Sequence, residues 1–367
     1  MRILVVIGTR PEAIKMLPLV LELKKYGEFE TLVCFSGQHS EMARAVFDEF
    51  KILPDLEFIA MKKGQNLKDL TVRLLNYFDV VLGEIKPDLV LVHGDTTTAF
   101  CASLSAFYRG IKVGHIEAGL RTFNALSPFP EEFNRVSIDA LSFLHFAPTE
   151  SAAENLRKEG RKSVFTVGNT VIDALEYSLR IKESFPSLRE SEGRKTVLIT
   201  THRRENIGEK MRVSLSAVKE ILSSRDDLFA VLPIHPNPAV REVVLEVFEN
   251  IKNIKICAPL GMTEFHNLLS RSFAIFTDSG GIQEEAAYLG IPLFLLRENT
   301  ERRECDFLSN VCYVGCDGER IKGEFLRFLS EEARQSEMRV CSGVFGDGRT
   351  SERIAQILLR FADEHKF

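Results

Sequence analysis

The sequence predicts an α/β protein built from two doubly wound parallel-sheet domains. Short apolar runs alternate with stretches of helical period along most of the 367 residues. That alternation breaks once, at 184–195, a polar stretch carrying Pro and Gly, and then restarts. Reactive side chains also fall just after the apolar runs, where doubly wound sheets bind their ligands. The length itself favours two domains of ordinary size.

The elements follow in order. Met1-Arg2-Ile3-Leu4-Val5-Val6-Ile7 reads as a first strand, 2–7. Its apolar part is too short for a secretory leader, and no small-residue cleavage site follows. Further strands are expected at 30–35, 88–92, 111–115, 143–147 and 163–167, with helices between them, most clearly 12–26, 67–85 and 131–142. The second series of strands is expected near 196–200, 228–233, 254–257, 273–277 and 292–296. A last helix begins near Thr350-Ser351, after the turn Gly346-Asp347-Gly348, with Ile354, Ile357, Leu358 and Phe361 on one side. It is expected to cross back to the first domain. The domains are therefore placed at 1–170 joined by 351–367, and at 171–350.

The net charge of -5 gives no electrostatic reason to expect nucleic acid or an anionic membrane as partner. No apolar run approaches the ~20 residues of a membrane helix. The seven cysteines are an odd, scattered set that fits free thiols in a reducing cytoplasm. Cys305, Cys312 and Cys316 lack zinc-type pairing, and no metal site is expected.

The most informative stretch runs from Thr277 through Asp278-Ser279-Gly280-Gly281 to Gly290-Ile291-Pro292. It follows a buried-strand run and opens a short helix that Gly290 can stop. Ser279, Gly280 and Gly281 thus lie at a strand-to-helix turn, where backbone N–H groups and the helix dipole favour an anion. Glu285, about one turn inside, can accept hydrogen bonds from ribose hydroxyls. A phosphate cradle with a carboxylate one turn on suggests a nucleoside diphosphate. A glycine turn that only packs a helix on a sheet would look the same.

Six other polar turns end strands, a pattern suggesting a cleft between two facing domains. Arg10 precedes Pro11 at the first turn, and Lys15 follows one helical turn later; both could hold phosphate or uracil, and Lys15 could equally be solvated. Gln38 and His39 follow the second strand. His202 and His235 follow two strands of the second half, and a cationic His near a diphosphate can neutralise a leaving group. His202 could instead belong to a surface cluster paired with Glu205. Asp95, Glu117, Glu131 and Glu132 are the acid–base candidates, because crowded carboxylates raise one another's pKa. Asp95 can equally cap a helix starting near Thr97. Of Glu131 and Glu132, at a helix start, one is expected to be structural. Glu117 has no evident partner but Arg121. Asn134 and Arg135 can orient a carboxylate. No Gly-x-Gly-x-x-Gly follows the first strand and no Walker-type Gly-Lys-Ser/Thr occurs, so a nucleotide here would be substrate, with neither NAD nor ATP as cofactor.

Taken in order, Gly8-Thr9-Arg10-Pro11-Glu12-Ala13-Ile14-Lys15, Gly37-Gln38-His39, His93-Gly94-Asp95-Thr96-Thr97-Thr98, Glu117-Ala118-Gly119-Leu120-Arg121-Thr122, Pro130-Glu131-Glu132 with Asn134-Arg135, Thr201-His202-Arg203-Arg204-Glu205-Asn206 and Asp278-Ser279-Gly280-Gly281-Ile282-Gln283-Glu284-Glu285 make the chain resemble the non-hydrolysing UDP-N-acetylglucosamine 2-epimerases over essentially its full length. The resemblance implies the GT-B architecture, with two Rossmann-like domains facing across a cleft. It also implies a cytoplasmic homodimer and interconversion of UDP-GlcNAc and UDP-ManNAc without NAD or metal. UDP would be eliminated and re-added through 2-acetamidoglucal. By matching position, Asp95, Glu117, Glu131 and His202 would be catalytic. Arg10, His235, Ser279, Gly280, Gly281 and Glu285 would hold UDP, with Lys15 and Arg135 nearby. In some members Gln38 and His39 help bind a second, activating UDP-GlcNAc. This chain departs from the family in carrying Arg303 where Pro is common. A hydrolysing epimerase, a GT-B glycosyltransferase and a catalytically silent UDP-sugar sensor are the alternative readings.

Overall fold

The first strand, β1 (Arg2–Ile7), is apolar from Ile3 onward and buried on both faces, the pattern of a central strand in a parallel sheet. The computed structural model describes every residue except 38–39, 62–63, 182–184, 186–192, 204–205, 298–299, 301 and 366–367. Its packing divides the chain into two units, Met1–Tyr177 with Phe345–Phe367, and Ser178–Val344.

The first unit runs β1, α1 (Arg10–Leu23), β2 (Glu30–Phe35), α2 (Ser40–Phe50), β3 (Leu56–Glu57), α3 (Leu67–Ile85), β4 (Leu89–His93), α4 (Thr97–Tyr108), β5 (Lys112–Ile116), α5 (Glu131–Leu141), β6 (Leu144–Ala147), α6 (Glu150–Lys158), β7 (Val164–Thr166) and α7 (Thr170–Leu179), whose last two residues fall in the second unit. Its parallel strands lie in the order β3-β2-β1-β4-β5-β6-β7. The winding therefore reverses between β1 and β4, where Val5 registers with both Val33 and Leu91. At such a reversal the chains leaving neighbouring strands diverge, which is where doubly wound sheets form their ligand crevice.

The second unit continues with β8 (Lys195–Thr200), α8 (Glu209–Ser223), β9 (Leu228–Pro233), α9 (Pro238–Val247), β10 (Ile254–Cys257), α10 (Met262–Ser270), β11 (Ala274–Thr277), α11 (Gly280–Leu289), β12 (Leu293–Leu295), β13 (Val311–Tyr313), α12 (Gly318–Ser330) and α13 (Glu332–Glu337). Its order is β10-β9-β8-β11-β12-β13, so the reversal falls between β8 and β11. Phe276, Phe294, Phe325 and Phe328 pack ring against ring in its core, with Phe294 and Phe325 edge to face at 5.0 Å.

The last helix, α14 (Thr350–His365), packs against α1 in the first unit. Buried Asp173 accepts hydrogen bonds from the backbone N–H groups of Thr350 (3.2 Å) and Ser351 (2.7 Å), capping this helix. The chain returns to the first unit at Phe345, a few residues before the boundary expected at 350/351, and leaves it after Tyr177 rather than at 170/171.

Candidate active site

The reactive residues of each unit collect at that unit's winding reversal. In the first unit, Thr9 caps α1 and Glu12 turns back to close the turn. Glu12 accepts hydrogen bonds from Gly8 N–H (3.1 Å) and Thr9 Oγ1 (2.7 Å), and from Thr96 Oγ1 (2.9 Å) of the neighbouring β4 turn. Burial outweighs these bonds and lifts its carboxyl to about 7. Glu12 thus ties the β1 and β4 turns together.

The same β4 turn carries Asp95, the first of the carboxylates. Asp95 accepts from Arg135 Nη2, and its backbone carbonyl accepts from Asn134 Nδ2 at 2.9 Å. Burial pushes the Asp95 carboxyl upward; Arg135 opposes the rise, and the charges of Glu117 and Glu131 add to it. One Glu131 oxygen is buried and takes no hydrogen bond from the described residues. Glu132 is the structural member of its pair: its Oε1 accepts the backbone N–H groups of Thr122 and Phe123, both at 2.9 Å.

Glu117 sits in the left-handed region, φ +64°, an uncommon conformation for a residue with a side chain. Its Oε2 accepts from Lys15 Nζ and from Asn169 Nδ2 (2.7 Å), and His93 Nε2 lies 3.6 Å away. Burial lowers the His93 ring to about 3, so it stands neutral beside the carboxylate. The partner the sequence suggested for Glu117, Arg121, is instead bound to Asp139 and Glu159. The structure likewise gives Lys15 to Glu117 rather than to solvent. Arg10 is the first residue of α1, and burial draws its guanidinium below the ordinary value. Gln38 and His39 lie outside the described residues, as do Arg204 and Glu205.

In the second unit, Asp278 organises the turn after β8. Fully buried, it accepts from Thr201 Oγ1 (2.9 Å), from the backbone N–H groups of His202 (3.1 Å) and Arg203 (3.0 Å), and from Asn206 Nδ2 (3.4 Å). His202 Nδ1 lies 3.3 Å from the same carboxylate, and its ring stacks on His235 at 5.6 Å. His235 is lowered by burial against the pull of Asp278, and its Nδ1 accepts the Asn237 N–H at 3.2 Å. With Nδ1 accepting, Nε2 is the ring nitrogen left to donate.

Beside it, α11 begins at Gly280 with Ser279 as an N-cap that makes no side-chain hydrogen bond to the helix. A Cβ at Gly281 would meet nothing within 4 Å, so neither packing nor backbone conformation calls for glycine there. A helix start without a capping side chain leaves backbone N–H groups that can receive an anion. Glu285 accepts from His266 Nε2 (3.1 Å), whose Nδ1 meets Ser178 Oγ at 2.8 Å. Arg302 Nε donates to Glu284 at 2.6 Å, and Arg303 opens a 3-10 turn, Arg303–Phe307, where Pro was the family's habit.

Crowded, cation-flanked carboxylates at one winding reversal and an uncapped helix start beside paired histidines at another define an α/β enzyme of the GT-B class acting on a phosphorylated ligand. The chain belongs to the UDP-N-acetylglucosamine 2-epimerase family, whose model matches residues 21–359. It is 45% identical over 361 residues to the UDP-N-acetylglucosamine 2-epimerase of Bacillus subtilis, covering 98% of this chain and 95% of that one. It superposes with a TM-score of 0.92 on the Neisseria meningitidis UDP-GlcNAc 2-epimerase solved with UDP-GlcNAc, at 41% identity, covering 98% of this chain and 100% of the other. An S. aureus protein solved with UDP gives a TM-score of 0.92 at 38% identity, covering 99% and 97%.

Proposed function

We propose that this protein interconverts UDP-GlcNAc and UDP-ManNAc without net hydrolysis, by eliminating UDP and adding it back. The carrying observation is the convergence of Asp95, Glu117 and Glu131, with Asp95 held above the ordinary carboxylate range.

The C2 proton of the sugar is not acidic in the ground state. It becomes removable as the C1–O bond breaks and positive charge builds on the ring, so the departing UDP must be stabilised in the same step. In this reading the Gly280–Gly281 helix start and the Nε2–H of His235 hold the diphosphate, His202 assists its departure, and Glu285 takes the ribose; Arg10 belongs to the substrate set as the resemblance has it. Two carboxylates then serve opposite sugar faces: one removes the C2 proton, leaving 2-acetamidoglucal, and another returns a proton as UDP re-adds. Lys15 and Asn169 orient Glu117, and Arg135 orients Asp95. Gln38 and His39 complete the substrate set as the resemblance has it.

We further propose a homodimer in the cytoplasm. Exposed apolar side chains at Val80, Phe107, Tyr108, Phe129 and Phe133 support the dimer, and seven free cysteines support the location. Among the described residues no helix is long and apolar enough to cross a membrane.

The test is turnover of UDP-GlcNAc in D2O, followed by NMR and mass spectrometry. UDP-ManNAc and UDP-GlcNAc should both acquire deuterium at C2. Asp95→Asn and Glu117→Gln should lose turnover while binding UDP within roughly tenfold of wild type. Free ManNAc released in step with UDP, or full activity in both variants, would overturn the reading.

A further inference from the structure

The carboxylates of the first unit rest on a buried network that the reaction itself does not use. His115 and Asp139 are both fully buried. Asp139 Oδ1 meets His115 Nδ1 at 2.6 Å, while Oδ2 accepts from Arg121 Nη2 (2.7 Å) and the backbone N–H of Gly119 (3.3 Å). His115 Nε2 meets the backbone carbonyl of Gly94 at 2.7 Å. Gly94 immediately precedes Asp95, and Gly119 lies two residues after Glu117. A single side chain of α5 thereby fixes the turns carrying two of the proposed reacting groups, one directly and one through an imidazole. The same helix carries Glu131 and sends Asn134 to the Asp95 carbonyl.

Both neighbours of the His115 ring are acceptors, a carboxylate and a carbonyl. The carboxylate already receives two other donors, including a guanidinium. The ring must therefore donate from both nitrogens.

We infer that the Asp139–His115 pair is a positioning pair for the proton-transfer step, setting the separation of Asp95 and Glu117. This rests on the functional reading above. Both residues are fully buried and their side-chain bonds run to Gly94, Gly119 and Arg121, so loss of the pair should strike kcat and spare nucleotide affinity.

Asp139→Ala removes the anchor of three donors. Asp139→Asn can keep every bond: the amide oxygen receives Gly119 and Arg121, the amide nitrogen donates to Nδ1, and a neutral ring donates Nε2–H to Gly94. The assays are kcat and KM for UDP-GlcNAc, calorimetric affinity for UDP, and thermal melting. Asp139→Ala should lower kcat at least about tenfold, the scale of a small misplacement of reacting groups, with UDP affinity within about threefold. Asp139→Asn should recover most of kcat. If Asp139→Ala does not fold, His115→Gln, which cannot bridge both acceptors, should show the same split.

Wild-type kcat in folded Asp139→Ala or His115→Gln, or an equal fall in kcat and UDP affinity, overturns the inference. Absent turnover in the wild-type chain instead overturns the functional reading, and this inference with it.

Discussion

Gly281→Ala separates what the glycine does for the fold from what it does for a ligand. A methyl at this position, the second residue of α11, would meet no described atom within 4 Å beyond its own helix turn. For folding, Gly→Ala inside a helix is favourable by up to about 1 kcal/mol, and less in the first turn. In the proposed site the same methyl would crowd a phosphate received at this helix start. Each hydrogen bond to a charged group contributes about 1.5–3 kcal/mol. Loss of one should weaken UDP by about tenfold to a hundredfold, at 1.4 kcal/mol per tenfold. Titration calorimetry with UDP, beside thermal melts, measures both effects. Gly290→Ala is the control: its φ is +65° and its Cβ would lie 2.9 Å from the Cys341 backbone nitrogen. That variant should lose about 1–2 kcal/mol of stability and keep its UDP affinity. If Gly281→Ala binds UDP within about twofold of wild type, the anion seat is not at this helix start; if it unfolds, the glycine serves the fold.

The Glu12 carboxyl, raised from 4.5 to about 7, makes stability fall as pH climbs between those values. The folded chain keeps a proton that the unfolded chain has released, and the loss reaches at most about 3 kcal/mol. Glu12→Gln should therefore gain in melting temperature over wild type as pH goes from about 5 to about 8; a constant difference across that range would refute the assignment. Asp278→Ala should cost about 2–4 kcal/mol in urea unfolding, because Thr201, Asn206 and two backbone N–H groups lose a buried acceptor. Its kcat should fall with the loss of His202 placement, and unchanged stability would remove Asp278 from that role.

Much of this fold was legible because the strands are continuous apolar runs. The expected strands at 2–7, 30–35, 228–233 and 254–257 coincide with β1, β2, β9 and β10, and the helix at 67–85 coincides with α3. β3 and β13 escaped because two or three residues, Leu56–Glu57 and Val311–Tyr313, are too short to show a period. Within the candidate site, turn residues declared themselves by position after a strand. Their partners did not: Asn169 reaches Glu117 across 52 positions of sequence, and Asp278 reaches the His202 turn across 76. Glu12 carried a usable signal, Thr9-Arg10-Pro11-Glu12 having the spacing of a capping box, although its bond to Thr96 is a product of sheet order. Glu285 was read for a ligand hydroxyl, and its bond to His266 needed the tertiary fold.

The cap that Asp173 places on α14 spans 177 positions of chain. During synthesis at about 5–20 residues per second, that carboxylate waits roughly 10–35 s for the amides it will receive. The whole second unit emerges in the meantime. The first unit to appear is thus the last to be finished, and a nascent chain must hold a seven-stranded sheet together without its closing helix while a second sheet forms behind it.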